Sequence, residues 1–155
     1  MPKYKEEHNL SFLIGMKNES IDSLKVGGFP TTYIIDRNGR IVFSQSGAFL
    51  HEGDFEKVVT SLMGDDYEGK QVALYNFYVT NADKERVSDI EIRLYNDTVD
   101  ETITTGEDGI ASYFTQDAQD LKIEVLNLPD GYTSNADSIT LGIESGTKMI
   151  TIEKK

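Results

Sequence analysis

Cysteine is absent from the 155 residues of this chain. That excludes disulfide staples, thiolate zinc sites and any cysteine nucleophile within it. Histidine is nearly absent too: His8 and His51 stand far apart, so a histidine-rich metal site is not expected and each reads as a solvated surface residue. No apolar run approaches the ~18 to 20 residues of a membrane-spanning helix, and Met1 to Leu10 is charged where a signal peptide needs an apolar stretch. The chain therefore reads as soluble and cytosolic, or as a fragment whose targeting signal lies elsewhere. Positive charge is scarce, with 15 basic against 27 acidic side chains and a formal net charge of -12. Such a surface repels phosphate backbones and anionic headgroups, so neither nucleic acid nor an anionic membrane is an expected partner.

Bulky side chains are present in quantity. Apolar residues make up 38% and aromatics 10% of the sequence, enough to bury a core against the conformational entropy of the chain. The length suits one domain or two small ones. The hydrophobic period changes partway along. Up to about Gly64 it mixes helix and strand: Phe55, Val58, Val59 and Leu62 form one helical stripe, with Glu52 and Asp54 near the positive end of the helix dipole and Gly64 as a left-handed stop. Thr31 to Asp36 and Ile41 to Gly47 flank Arg37-Asn38-Gly39-Arg40, a strong hairpin signal. A shorter helix is expected from Glu19 to Lys25 with Asn18 as its cap, a strand at Phe12 to Met16, and the tail of a helix at Tyr4 to His8.

The polar stretch Gly64 to Lys70 reads as a boundary, giving modules 1–66 and 67–155. Beyond it the period is two. Ile90, Ile92 and Leu94 alternate with Glu91 and Arg93, and Leu121, Ile123 and Val125 with Lys122 and Glu124. Further strands are expected at Val72 to Thr80, Glu101 to Thr105, Ile110 to Phe114, Ser138 to Leu141 and Lys148 to Ile152. With turns at Asp108-Gly109 and Pro129-Asp130-Gly131, these seven short strands predict an antiparallel, immunoglobulin-like sandwich. The fold class is thus α+β in two modules, a partial α/β unit followed by an antiparallel β-sandwich.

Within the first module, Val26-Gly27-Gly28-Phe29-Pro30-Thr31-Thr32-Tyr33-Ile34-Ile35-Asp36 and its continuation Arg37-Asn38-Gly39-Arg40-Ile41-Val42 carry a family likeness. Residues 3–64 or so resemble the second half of the TlpA and ResA-like group of bacterial extracytoplasmic thioredoxin-like oxidoreductases. The resemblance implies a cis Pro30, Phe29 as the substrate-facing residue, and Phe29, Pro30 and Thr31 as a binding surface for an extended peptide segment. The CxxC half of that family is not in this sequence, so no catalytic residue is assigned, no cofactor is expected, and the chain alone is expected to be redox-inactive. The strand Thr31 to Ile35 would then lack a neighbour on one side. An open apolar strand is a template for association, so a protein or peptide partner or weak self-association is expected at this edge, with borrowing of an edge from the second module and partial mobility as alternatives. The first half is expected to be less protected from amide exchange than the second.

Ser88-Asp89-Ile90-Glu91-Ile92-Arg93-Leu94-Tyr95, Thr105-Gly106-Glu107-Asp108-Gly109-Ile110-Ala111 and Leu128-Pro129-Asp130-Gly131-Tyr132 resemble a Cna B-type, prealbumin-like module of Gram-positive surface and secreted proteins. That resemblance implies an extracytoplasmic or cell-surface setting. Many such modules carry a Lys–Asn isopeptide bond helped by a buried acid, but this sequence offers Val79, Val125 and Ile152 or Glu153 at the corresponding positions, so none is expected. Asp97, Asp100, Glu107 and Asp108 fit no EF-hand spacing and read as a solvated acidic face rather than a calcium site. A hydrolase has no support, since no Gly-x-Ser-x-Gly elbow occurs. Tyr75, Tyr78, Tyr95, Tyr113 and Tyr132 read either as loop residues for a carbohydrate or peptide or as core and rim residues. Two functions remain: a redox-inactive fragment of a thioredoxin-like protein with an accessory sandwich, or a non-enzymatic surface or interaction protein.

Overall fold

The computed structural model describes residues 24, 26–65, 67–116, 120–142 and 145–155. The elements expected at Tyr4 to His8, Phe12 to Met16 and Glu19 to Lys25 lie outside these described residues, apart from Leu24 in a turn.

Strands β1 (Thr31–Ile35) and β2 (Ile41–Ser46) form the expected antiparallel hairpin. Asp36 closes its turn: Oδ1 accepts the backbone amides of Asn38 and Arg40, both at 2.9 Å, and Gly39 takes the left-handed conformation at φ 79 that the reversal requires. The register shifts between Ile34 and Ile35, so Ile34 faces Phe43 while Ile35 faces Ile41. Helix α1 (Asp54–Met63) follows and buries Val58 completely. Its left-handed residue is Gly53 before the first turn, at φ 88; Gly64 leaves the helix extended at φ -69, ψ 155, so the expected left-handed stop does not form.

The seven strands that follow are β3 (Ala73–Asn81), β4 (Glu91–Tyr95), β5 (Asp100–Thr104), β6 (Ile110–Thr115), β7 (Lys122–Val125), β8 (Tyr132–Ser134) and β9 (Gly146–Lys154). They make a four-stranded sheet, β6-β3-β9-β8, and a three-stranded sheet, β5-β4-β7. Tyr75, Phe77, Val79, Ile92, Leu94, Ile123 and Ile150 supply a shared core, each at most 4% exposed. Burial of this kind contributes about 1.5 to 3 kcal/mol per large apolar side chain. The sandwich is not wholly antiparallel, because β3 and β9 run parallel with Val79 opposite Ile150. The strand expected at Ser138 to Leu141 is replaced by a 3-10 turn at Ala136–Ser138 and extended chain. There the Ser138 amide and hydroxyl both bond the Asn135 carbonyl, a local alternative to ladder pairing.

Strand β3 is buried on both faces, and the second face explains how the hairpin and helix are held. Leu74, with Val72, joins Phe43 and Val58 in a second buried cluster that Ile34, Phe49, Leu62 and Phe114 complete. Apolar packing therefore crosses the polar stretch Gly64 to Lys70. Backbone contacts cross it as well: the Val72 amide bonds the Val42 carbonyl at 2.8 Å, and Gln45 forms an isolated parallel bridge with Ser145. Strand β2, rather than β1, meets the sandwich, through these two backbone contacts and without joining either sheet. Among the described residues β1 pairs with β2 alone.

Candidate functional site

Phe29, Pro30 and Thr31, the three residues singled out, sit at the open end of the hairpin. The Phe29–Pro30 peptide bond is cis. Phe29 is 95% exposed, Pro30 is exposed and Thr31 is half-buried. Hydrogen bonds fix the backbone on both sides of this corner. The Gly47 amide donates to the Pro30 carbonyl at 2.8 Å, and the Thr31 hydroxyl donates to the Gly28 carbonyl at 2.7 Å. Two residues on, the Tyr33 hydroxyl donates to the Leu24 carbonyl at 2.7 Å. The aromatic side chain is thus presented to solvent from a backbone that is itself tied down.

Thr31 and Tyr33 share one face of the hairpin with Ser44 and Ser46, as the pairs Thr31 with Ser46 and Tyr33 with Ser44 require. Together with Gln45, Gln71 and Ser145 they line a cleft of about 560 Å³. Its described walls carry hydroxyls, carboxamides and the apolar Leu24 and Ile41, with no carboxylate, amine or guanidinium. In a chain this rich in charge, such a lining favours neutral hydrogen-bonding surfaces, a polypeptide backbone included, over ions. Gln45 is 2% exposed; its Nε2 donates to the Ala48 carbonyl at 3.1 Å while Oε1 has no hydrogen-bond partner among the described residues. Ser145 is committed elsewhere, its hydroxyl accepting the Leu74 amide at 2.9 Å and so tying cleft to sandwich. The arrangement can hold a ligand; with no thiol in the sequence, it cannot exchange disulfides.

Gln45 and Ser145 were not singled out from sequence. Gln45 left a signal, since it alternates with Phe43 on the buried face of a strand where an apolar residue belongs. Ser145 left none, because its place depends on contacts 71 residues apart.

The other sequence candidates fall apart as sites. The five tyrosines lie in strands rather than loops: Tyr75 and Tyr78 in β3, Tyr95 in β4, Tyr113 in β6 and Tyr132 in β8. Tyr75 and Tyr113 are core residues, and burial, helped by the neighbouring Tyr113, pushes the Tyr75 phenol up to about 12. Asp100 is bound to Arg93 through two oxygens at 2.7 and 2.8 Å, and that guanidinium holds its carboxyl below the usual range. Asp108 accepts the Ile110 amide at 3.0 Å in its own turn. Among the described residues no three His, Asp or Glu side chains are grouped to hold a metal. His51 is half-buried beside α1, and His8 lies outside the described residues. The isopeptide positions Val79, Val125 and Ile152 all pack in or against the sandwich core, with Ile150 directly opposite Val79.

No protein-family profile and no curated protein matches the chain in sequence. Among solved structures similar to part of it are the Bacillus anthracis TIE protein, at 18% identity and a TM-score of 0.43, and a variant of BcpA, the major pilin subunit of Bacillus cereus, at 10% identity and a TM-score of 0.42. Each covers 54% of this chain, which spans 16% of the first protein and 29% of the second. Likeness at that level identifies neither a family nor a function.

Proposed function

We propose that this chain is a non-catalytic interaction module of an extracytoplasmic or cell-surface protein, which presents the Phe29–Pro30–Thr31 corner to an extended polypeptide. In this reading residues 1–66 are a thioredoxin-like remnant and residues 67–155 a Cna B-type sandwich that serves as its platform. The observation that carries it is the exposure of Phe29, at 95%, from a corner whose backbone is fixed by the Gly47 and Thr31 hydrogen bonds. An exposed aromatic on a fixed backbone suits recognition, because aromatic anchors supply large contact area with only two side-chain torsions to order. The uncharged cleft beside it suits a peptide backbone, and the lack of any cysteine removes the exchange chemistry that the resembled family performs.

The test is a titration of the labelled chain with short extended peptides free of cysteine, followed by amide chemical shifts. Shifts centred on residues 29–33 and 44–46 are expected. Phe29→Ser should abolish them while changing unfolding free energy by less than about 0.5 kcal/mol, as for other exposed positions. Peptides that bind this variant as well as the native chain would refute the assignment of the corner. Insulin reduction by the purified chain without an added partner would refute its non-catalytic character.

A further inference from the structure

At the opposite end of the hairpin, away from Pro30, a second cleft opens between the Asp36–Arg40 turn and helix α1. Its volume is about 560 Å³, within the ~300 to 1,000 Å³ of small-ligand sites. Ile34, Val42, Val59 and Leu62 form its apolar wall, and two large apolar side chains stand at its rim, Ile35 at 56% and Met63 at 80% exposure.

The charge at the mouth is uneven. Asp36 is fully occupied by Arg40: Oδ2 receives the Arg40 guanidinium at 2.6 and 2.8 Å, while Oδ1 takes the turn amides. The Arg40 amide, with the Arg40 guanidinium and the Asn38 amide, holds this carboxyl below its ordinary value and outweighs partial burial. Asp36 and Arg40 therefore cancel. Arg37, exposed and lining the same cleft, makes no ion pair with a described residue. A chain of net charge -12 thus keeps an uncompensated guanidinium at the entrance of an apolar cleft. A guanidinium pairs with carboxylates through parallel hydrogen bonds. The wall behind it is mainly apolar, and the Tyr67 hydroxyl, which also lines the cleft, is already committed to the Lys70 carbonyl at 2.8 Å.

We propose that this cleft binds a small apolar carboxylic acid, its chain against Ile34, Val59 and Leu62 and its carboxylate on Arg37. The net charge of the protein repels anions at long range, but the Debye length of ~8 Å at physiological salt confines that repulsion and leaves the local guanidinium to decide. The acid must carry enough apolar surface to fill the wall, which distinguishes it from a simple anion.

The probes are sodium octanoate, octanol and sodium acetate, titrated into the native chain and into Arg37→Gln while side-chain methyl and amide shifts are recorded. Arg37 is an exposed turn residue, so the variant keeps its fold. Octanoate should shift the methyl groups of Ile34, Val59 and Leu62 and bind Arg37→Gln roughly ten- to a hundredfold more weakly, the factor that one charge-assisted pair carries. Octanol should bind both forms alike, and acetate should leave the methyl groups unmoved. Equal octanoate affinity in the two forms would overturn the proposal, as would methyl shifts scattered away from this cleft or an acetate response matching that of octanoate.

Discussion

Gly109 follows Asp108 at φ 68, and a methyl group there would stand 2.8 Å from the Arg86 Cβ and 3.0 Å from the Val87 amide nitrogen. Neither atom is the free end of a flexible chain, and the Arg86 guanidinium is further held over the Tyr78 ring at 3.8 Å. Left-handed strain of ~1 to 2 kcal/mol and overpacking of ~1 to 3 kcal/mol therefore act together. Gly109→Ala should cost about 2 to 5 kcal/mol in urea unfolding, whereas Gly131→Ala, at φ 82 with nothing near its added methyl, should cost only the strain, about 1 to 2 kcal/mol. Equal costs would show that crowding under Arg86 is not felt. Tyr75 offers a different kind of test. Its hydroxyl donates to the Gly142 carbonyl, and burial pushes its pKa up to about 12 in the folded chain, above the ordinary phenol value of about 10. Below pH 10 both states are neutral and the stabilisation is complete; as pH rises from 10 to 12 the unfolded chain ionises first. Stability should fall by about 2 kcal/mol across that window, most of the total that two pKa units carry at 1.36 kcal/mol each. Tyr75→Phe should be about 1 kcal/mol less stable at pH 8, for the lost hydrogen bond, and should lack this portion of the alkaline loss. A native chain whose urea midpoint does not move between pH 10 and 12 would contradict this.

Elements that rest on local period were legible, and those that rest on distant pairing were not. The alternation around Ile92 and Leu94 and the stripe through Val58 and Leu62 mark β4 and α1 because one face of each is buried. Ile139 and Leu141 alternate in the same way and do pack at the core, yet the backbone there bonds locally, the Ser138 amide to the Asn135 carbonyl and the Ile139 amide to the Ala136 carbonyl, so side-chain period misidentified the element. Strand β8, only Tyr132–Ser134, carries no apolar alternation to find, and the parallel pairing of β3 with β9 joins the two ends of the sandwich. The same division holds at the candidate site. Pro30 and the turn around Asn38-Gly39 were visible as a motif, while the cleft walls from Gln71 and Ser145 arise only once the sandwich has closed. One element also shows how an edge is kept from pairing. Strand β5 lies at the rim of its sheet, and Glu101, opposite the buried Leu94, stays exposed on the side that faces the core. An inward-directed charge at an edge strand blocks addition of another strand. Glu101→Val should therefore raise the apparent mass in light scattering above that of the native chain at equal concentration; an unchanged mass would remove Glu101 from this role.

Across the whole molecule, stability is set by two apolar clusters that share β3 and by a surface whose charges repel one another. The first cluster joins the two sheets and the second carries the hairpin and helix, so the same strand serves both. Against this acts the net charge of -12. Surface repulsion is long-ranged at low salt, with a Debye length of ~30 Å at 0.01 M, and is largely screened at ~8 Å in 0.15 M. Added salt should therefore raise the unfolding temperature at pH 7. Mild acidification should act in the same direction by neutralising unpaired carboxylates, but only until paired ones are reached. Asp36, Glu68 and Asp100 are held below their ordinary values by Arg40, Lys70 and Arg93, respectively. For each of them the folded state favours the charged form, so its contribution is present above the ordinary carboxylate range near pH 4 and disappears as pH falls through the lowered value. Stability at low salt should consequently peak between about pH 5 and 6 and decline on both sides, whereas at 0.3 M salt the neutral limb should flatten and the acid limb should remain. Thermal unfolding at pH 3, 5 and 7 in both salts checks this. A neutral limb unaffected by salt would mean that self-repulsion is not what opposes the folded state.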